Sequence, residues 1–177
     1  DNEMLVRDVG TRDLTSTELT ATGSALATVT DNTDVVVVIT GQRNSAGSVN
    51  QYMGGLFTAE WNNTSSLPVF TRGKTDGVAA GVSYAVVEFT GLNWGVRRAE
   101  HTYTAAGVTE TESITPVNSI NRTFIHAQKR VGGVDTGLDE YGHRVFQSSI
   151  GSVSFILQSG ADNPTDHTSV AWLVENT

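Results

Sequence analysis

The two halves of this chain carry the same short sequence landmarks, in the same order and at a nearly constant offset. In chain order, the matched pairs are Leu5-Val6-Arg7 with Gly95-Val96-Arg97, residues 20–23 with 104–107, Gln42-Arg43 with Gln128-Lys129-Arg130, and residues 83–88 with 169–175. A single match of this kind arises easily by chance, but the ordered series indicates a duplication. A duplicated chain folds as two like units or as one pseudo-symmetric body.

The strand signal is strong throughout the chain and the helix signal is nearly absent. Residues 34–40 form a continuous β-branched run, which predicts a central strand covered on both faces. Residues 108–114 are rich in Thr and Glu, which indicates a solvent-facing or edge strand. Turn residues separate these runs at short spacing. We therefore predict an all-β chain of two tandem, pseudo-repeated antiparallel β-sandwich units of jelly-roll-like form.

The boundary between the repeats falls at residues 90–93, directly after the last strand of the first half. This position predicts a first unit over residues 1–92 and a second unit over residues 93–177. A unit of roughly 85 residues holds only a thin core. Because the linker is also short, we expect the two units to pack against each other.

Charge and composition exclude several classes of partner. The net charge is −8 and the eleven basic residues are scattered, whereas binding to a phosphate backbone requires clustered Lys and Arg. We therefore expect no nucleic acid partner. The chain has no cysteine, which excludes disulfides and thiolate chemistry. No apolar run approaches the roughly 20 residues that a spanning helix needs, so no membrane insertion is expected.

The sequence contains none of the common catalytic or nucleotide-binding motifs. The histidines lie in separate segments without metal-ligand spacing, at His101, His126, His143 and His167. The acidic loop with Asp135, Asp139 and Glu140 is either a turn-forming segment or a calcium or sugar site. We expect no catalytic residue, no cofactor and no metal, and hence no enzyme, although a zinc or nickel site assembled by folding stays open.

The N-terminal segment, residues 1–9, is the one candidate interaction element, and its candidate contact residues are Met4, Leu5 and Val6. It is either the first strand of its own unit or an arm that adds to a neighbour's exposed sheet edge. Trp94 follows the linker directly, so we expect its ring to pack at the junction between the units or at an interface between molecules.

Two aromatic residues are candidates for contact with a glycan. Trp61 precedes an Asn- and Ser-rich loop, and Tyr141 follows the acidic loop of the second half. An exposed ring in such a loop can stack on a sugar, whereas a buried ring packs in a core or an interface. Both alternatives stay open for Trp61.

The second half of the chain resembles β-sandwich modules of tailed-phage virion proteins. The resemblance is carried by the texture and order of residues 85–94, 98–102, 124–128 and 170–176. It implies a non-enzymatic role on a phage particle, as a capsid decoration, tail or fibre component. The implied location is the virion, and the implied partners are copies of the chain itself and other virion proteins.

The closing strand, which contains Trp172, also resembles that of H-type lectin sandwiches, which bind N-acetylated sugars. No set of sugar-binding residues carries over from that family to this chain. Two alternative functions therefore remain: a carbohydrate-binding adhesin module that contacts surface glycans, and a subunit of an extracellular filament. Either would lie outside the cell or on its surface.

Overall fold

The computed structural model describes residues 3–45, 49–133, 142–158 and 163–177, and within these ranges the regular secondary structure is antiparallel strand apart from three short 3₁₀ segments. The first half contains β1 (Glu3–Leu14), β2 (Thr20–Thr22), β3 (Val35–Asn44), β4 (Phe57–Asn62), β5 (Leu67–Arg72) and β6 (Ala80–Thr90). The second half contains β7 (Trp94–Thr102), β8 (Thr109–Ser113), β9 (Thr123–Val131), β10 (His143–Ser149), β11 (Ser152–Leu157) and β12 (His167–Asn176). Short 3₁₀ turns occur at Val49–Gly55, Ile120–Arg122 and Pro164–Asp166.

The described strands form four three-stranded sheets, and the two halves share one topology. In the first half the strand orders are β1-β6-β3 and β2-β5-β4. In the second half they are β7-β12-β9 and β8-β11-β10, so each strand matches the strand six places further along the chain. Pairing first with last and second with fifth is the pattern of an antiparallel ribbon rolled into a jelly roll. The predicted fold, two repeated all-β sandwiches, is confirmed.

The strand register shows which residues of the two halves are equivalent. Leu5 of β1 lies opposite Glu88 of β6, and Gly95 of β7 lies opposite Glu175 of β12. Glu88 and Glu175 are therefore equivalent, and the match of Leu5-Val6-Arg7 with Gly95-Val96-Arg97 is correct. The first repeat ends with β6, and the second repeat begins with β7. The division into domains of residues 1–92 and 93–177 stays a prediction.

Two of the sequence landmarks were aligned wrongly. Residues 20–22 form β2, whereas residues 104–107 lie in the loop before β8. The register also places Gln42 opposite Val82 and Lys129 opposite Ser169, each six residues before the equivalent glutamate. Gln42 is therefore equivalent to Lys129 rather than to Gln128. Local composition suggested both matches, but only backbone pairing reveals a shift of one or a few residues.

Strand β12 is buried on both faces and contributes to both hydrophobic cores. Ala171 and Leu173 pack into the core of the second unit, with Tyr103 and Phe155 among its other members. The alternate residues Val170, Trp172 and Val174 belong instead to the large core of the first unit. Because successive side chains of a strand point to opposite faces, the sheet β7-β12-β9 lies between the two cores.

The second unit covers one open side of the first sandwich, where the edges of the two sheets of that sandwich lie side by side. There β3 and β4 lie at the edges of different sheets, and Gln128 of β9 inserts between them. The Gln128 amide donates to the Val37 carbonyl oxygen over 2.7 Å and accepts from the Ala59 N–H over 2.7 Å. One side chain thus satisfies two buried backbone groups of the neighbouring unit.

This cover explains the apolar run at the start of β3. The run was predicted to be a central strand, but β3 is an edge strand and β6 is central. Val35, Val36 and Val37 are nevertheless all buried, because they lie in the same cluster as Trp172 and Val174 of the second unit. The prediction was correct about two-sided burial and wrong about the neighbour that provides it. The Thr- and Glu-rich β8 is an edge strand, as predicted.

Candidate interaction surface

Strand β1 presents a row of exposed apolar side chains on its outer face. Met4 is 61% exposed, Val6 is 58% exposed and Val9 is 70% exposed. The strand is also an edge of its sheet, since only β6 pairs with it in the described structure. An edge strand with an apolar face is normally blunted or covered in a monomeric protein. Here a register shift between Val6 and Asp8 interrupts the edge, but the apolar row is exposed in the described structure.

The opposite face of β1 is held firmly in the first unit. Arg7 Nε donates to a Glu88 carboxylate oxygen over 2.5 Å, and the Tyr84 hydroxyl donates to Asp8 over 2.9 Å. Leu5 lies opposite Glu88 in the register and is half-buried. The N-terminal segment is therefore the first strand of its own unit, which was one of the two alternatives left open by the sequence. The exposed row therefore belongs to a strand that is held in the first unit by side-chain hydrogen bonds.

Glu88 is fully buried and is the centre of the contacts that hold β1. It accepts from the Thr30 N–H, the Thr30 hydroxyl and the Asp31 N–H as well as from Arg7. Burial raises the pKa of Glu88, but hydrogen bonds from Thr30, Asp31 and Arg7 outweigh this effect and hold the pKa below its ordinary value. The carboxylate thus stays ionised in the folded protein.

The same arrangement recurs in the second unit. Glu175 is fully buried, lies 3.5 Å from the Arg97 guanidinium and accepts from the Ser119 N–H over 2.8 Å. In both units the carboxylate therefore joins the first strand to the loop before the third. The sequence showed both Arg-containing landmarks and both glutamates, but the connection between them appears only with the register.

Trp94 lies at the junction between the units, as its position after the linker predicted. Its ring centroid is 5.1 Å from that of Phe89, and Phe124 of β9 approaches Phe89 to 6.3 Å. Phe89 is the register partner of Met4. The exposed row on β1 is therefore continuous with the apolar contact between the units. A role of Met4, Leu5, Val6 or Trp94 in binding another molecule stays a prediction.

Trp61 is a core residue that borders a narrow cleft. The residue is only 9% exposed, and its indole N–H donates to Asn32 over 3.2 Å. The cleft, of about 150 Å³, also contains Trp172, above which the Arg98 guanidinium stacks at 5.7 Å. A ring buried to this degree offers little free face to a sugar. Tyr141 and the acidic residues 135, 139 and 140 lie outside the described residues.

A chain of polar groups crosses the core of the second unit. His143 Nδ1 lies 2.8 Å from the Ser169 hydroxyl, which lies 2.9 Å from the Tyr103 hydroxyl. Burial, assisted by the charge of Lys129, lowers the pKa of His143 to about 4, so its imidazole is neutral at pH 7. Burial also raises the pKa of Tyr103 to about 12. Ser169 and Tyr103 are fully buried. This series of hydrogen bonds therefore joins parts of the core, and neither hydroxyl is accessible to a substrate.

A second polar cluster contains His101, whose two ring nitrogens each face a carboxylate. Nδ1 lies 2.8 Å from Glu112 and Nε2 lies 3.3 Å from Glu110. The His101 ring also stacks on Phe155, with the ring centroids 5.2 Å apart, so the cluster ties β8 to the core. Among the described residues, no group of three or more His, Asp or Glu side chains is arranged to hold a metal ion.

In the part of the chain that the structure describes, no helix has the length and apolar character to cross a membrane. Comparison with known protein families, with curated proteins and with solved structures finds no match for this chain.

Proposed function

We propose that this protein is a non-enzymatic structural subunit of a phage particle, which assembles through the outer face of β1. The observation that carries this proposal is the exposed row of Met4, Val6 and Val9 on a strand whose other face is fixed by Arg7 and Glu88. Apolar side chains in such a row lose unfavourable water contact when a partner covers them. Because the backbone of β1 is already held in place, little conformational entropy is lost when a partner binds.

The phage setting rests on the resemblance of the second half to virion β-sandwich modules. It is supported by the jelly-roll topology, which is frequent in capsid and lectin domains. A subunit of an extracellular filament uses the same kind of surface and remains the second candidate. The lectin alternative has less support, because Trp61, its main candidate residue, is a core residue.

Negative-stain electron microscopy of the purified protein tests the structural role. We expect regular oligomers or larger assemblies at high protein concentration. Single particles of the size of one chain at every concentration, with and without the other proteins encoded nearby, would contradict a role in assembly. The flanking genes separate the two settings, because capsid or tail genes support the virion and secretion genes support the filament.

A further inference from the structure

The two outer sheet faces of the molecule are equivalent, but among the described residues only the first strand of the second unit, β7, has its outer face covered by the other unit. Counting from Glu88 and Glu175, the register makes Met4 equivalent to Trp94, Val6 equivalent to Val96 and Val9 equivalent to Arg98. The first member of each pair belongs to the exposed row on β1. The second member, on β7, lies against the first unit.

Each of the three residues on β7 has an identifiable contact across the junction. Trp94 packs on Phe89, and the Val96 N–H donates to the Asp34 carboxylate over 3.0 Å. Arg98 lines a small cleft with Thr58 of β4. The outer face of the second unit thus docks on the side of the first sandwich where β3 and β4 part.

The side that receives this contact, which we call the receiving side, is formed by β3 and β4 in the first unit and by β9 and β10 in the second. Among the described residues, only the receiving side of the first unit is covered by another unit. In the first unit Val37 of β3 is 0% exposed and Ala59 of β4 is 1% exposed, because the second unit lies over them. Register and strand position make Ile125 of β9 and Val145 of β10 their equivalents. Both pack on the second core from one side and are only half-buried. Over the described residues, the β9–β10 side of the second unit is therefore less covered than the β3–β4 side of the first.

We propose that the β1 face of one molecule docks on the receiving side of the second unit of another copy. The contact between copies then repeats the contact within the chain and continues it head to tail. The exposed row is already continuous with that contact, since Met4 and Val6 lie opposite the buried Phe89 and Val87. A heterologous contact of this kind builds rings or open filaments. This inference rests on the proposed structural role and names the partner as a second copy.

One difference between the two contacts sets their relative strength. Gln128 bridges the units within the chain, and the register places Gly41 at the equivalent position of the first unit. The contact between copies therefore lacks the amide bridge and consists mainly of apolar burial. It is the weaker of the two and forms at high protein concentration.

Disulfide cross-linking tests this geometry, because the chain has no cysteine of its own. Within the chain, Arg98 and Thr58 line the same cleft. Their equivalents are Val9 and Arg144, so the proposed contact brings Val9 of one copy close to Arg144 of the next. We expect a mixture of the Val9→Cys and Arg144→Cys proteins to form cross-linked dimers at least about tenfold faster than a mixture of Val9→Cys with Thr64→Cys. All three positions are exposed, so the fold is retained, and circular dichroism verifies this.

A chain that carries both Val9→Cys and Arg144→Cys should give a ladder of oligomers under oxidation. Thr11, which is equivalent to Glu100 at the same cleft, provides a second reporter in place of Val9. Equal cross-linking rates for the test and control mixtures, with both reporters, would overturn the head-to-tail contact. If assemblies then still appear by microscopy, the proposed structural role survives and only this contact fails. If no assemblies appear either, both proposals fail.

Discussion

Gln128 reaches from β9 of the second unit into the gap between β3 and β4 of the first. Its amide satisfies the Val37 carbonyl and the Ala59 N–H, both of which are otherwise enclosed. Leaving a buried backbone group without a partner costs about 1–3 kcal/mol. The contact between the units therefore has a polar centre as well as an apolar one.

Replacing Gln128 by Ala should lower the free energy of unfolding by about 2–3 kcal/mol, since two backbone groups lose their partner. Equilibrium denaturation in urea measures this change. Gln158→Ala, at an exposed position, is the matched control and should change the free energy by less than about 0.5 kcal/mol. Equal effects for the two variants would mean that Gln128 does not bridge the units.

Glu88 makes the stability depend on pH in a predictable direction. Its pKa in the folded protein is lower than the ordinary value of 4.5, so its contribution is complete above that pH and is lost as the pH falls through the folded pKa. We expect the melting temperature to fall as the pH drops below about 4.5. Glu88→Gln should be less stable at pH 7 and should show a smaller fall with acid. An unchanged acid dependence in this variant would assign the effect to other carboxylates.

At the scale of strands, close backbone approach at Gly73 holds the end of β5 against the end of β9. A Cβ atom at Gly73 would overlap the carbonyl carbon and oxygen of Val131. Lys74 also donates to the Gly133 carbonyl over 2.6 Å. The two units thus meet at a second point, far along β9 from the Phe124 contact.

We expect Gly73→Ala to destabilise the protein by about 1–3 kcal/mol, because the backbone of one unit must move away from the other. Gly151→Ala is the control, since a Cβ there meets its nearest neighbours only at 3.9 Å. Thermal and urea unfolding of the two variants provide the comparison. A tolerated alanine at Gly73 would show that the ends of β5 and β9 are not packed this closely.

The strand content, the duplication and the exposed polar β8 were all predictable from local pattern. β-branched runs and turn residues depend only on near neighbours in sequence. The role of Gln128 was not predictable, because its partners Val37 and Ala59 belong to the other half of the chain. Arg72 was missed for the same reason, since its guanidinium is buried and donates to carbonyl oxygens of several separate loops.

The candidate surface was partly predictable. The sequence located the segment, since residues 1–9 were identified as one interaction element with Met4, Leu5 and Val6 as candidates. It did not show which side chains share a face. A register shift between Val6 and Asp8 changes the alternation, so Val9 lies on the outer face with Met4 and Val6, whereas Leu5 lies on the inner face.

At the scale of the whole molecule, the described residues leave the outer face of β1 exposed and the receiving side of the second unit only half-buried. Within the chain, the equivalent face and side are already joined. A molecule built in this way has the means to repeat its own internal contact, and the structural role that we propose is based on that repetition.

Sedimentation velocity over a range of protein concentrations is the most direct measurement of this claim. The unmodified protein should show a sedimentation coefficient that rises with concentration, and so should the control Val108→Asp/Ile150→Asp, which adds the same charge at exposed apolar sites elsewhere. The Val6→Asp/Val9→Asp variant should sediment as a monomer throughout. Association of that variant to the same extent as the unmodified protein, or an unmodified protein that stays monomeric at every concentration, would contradict the account.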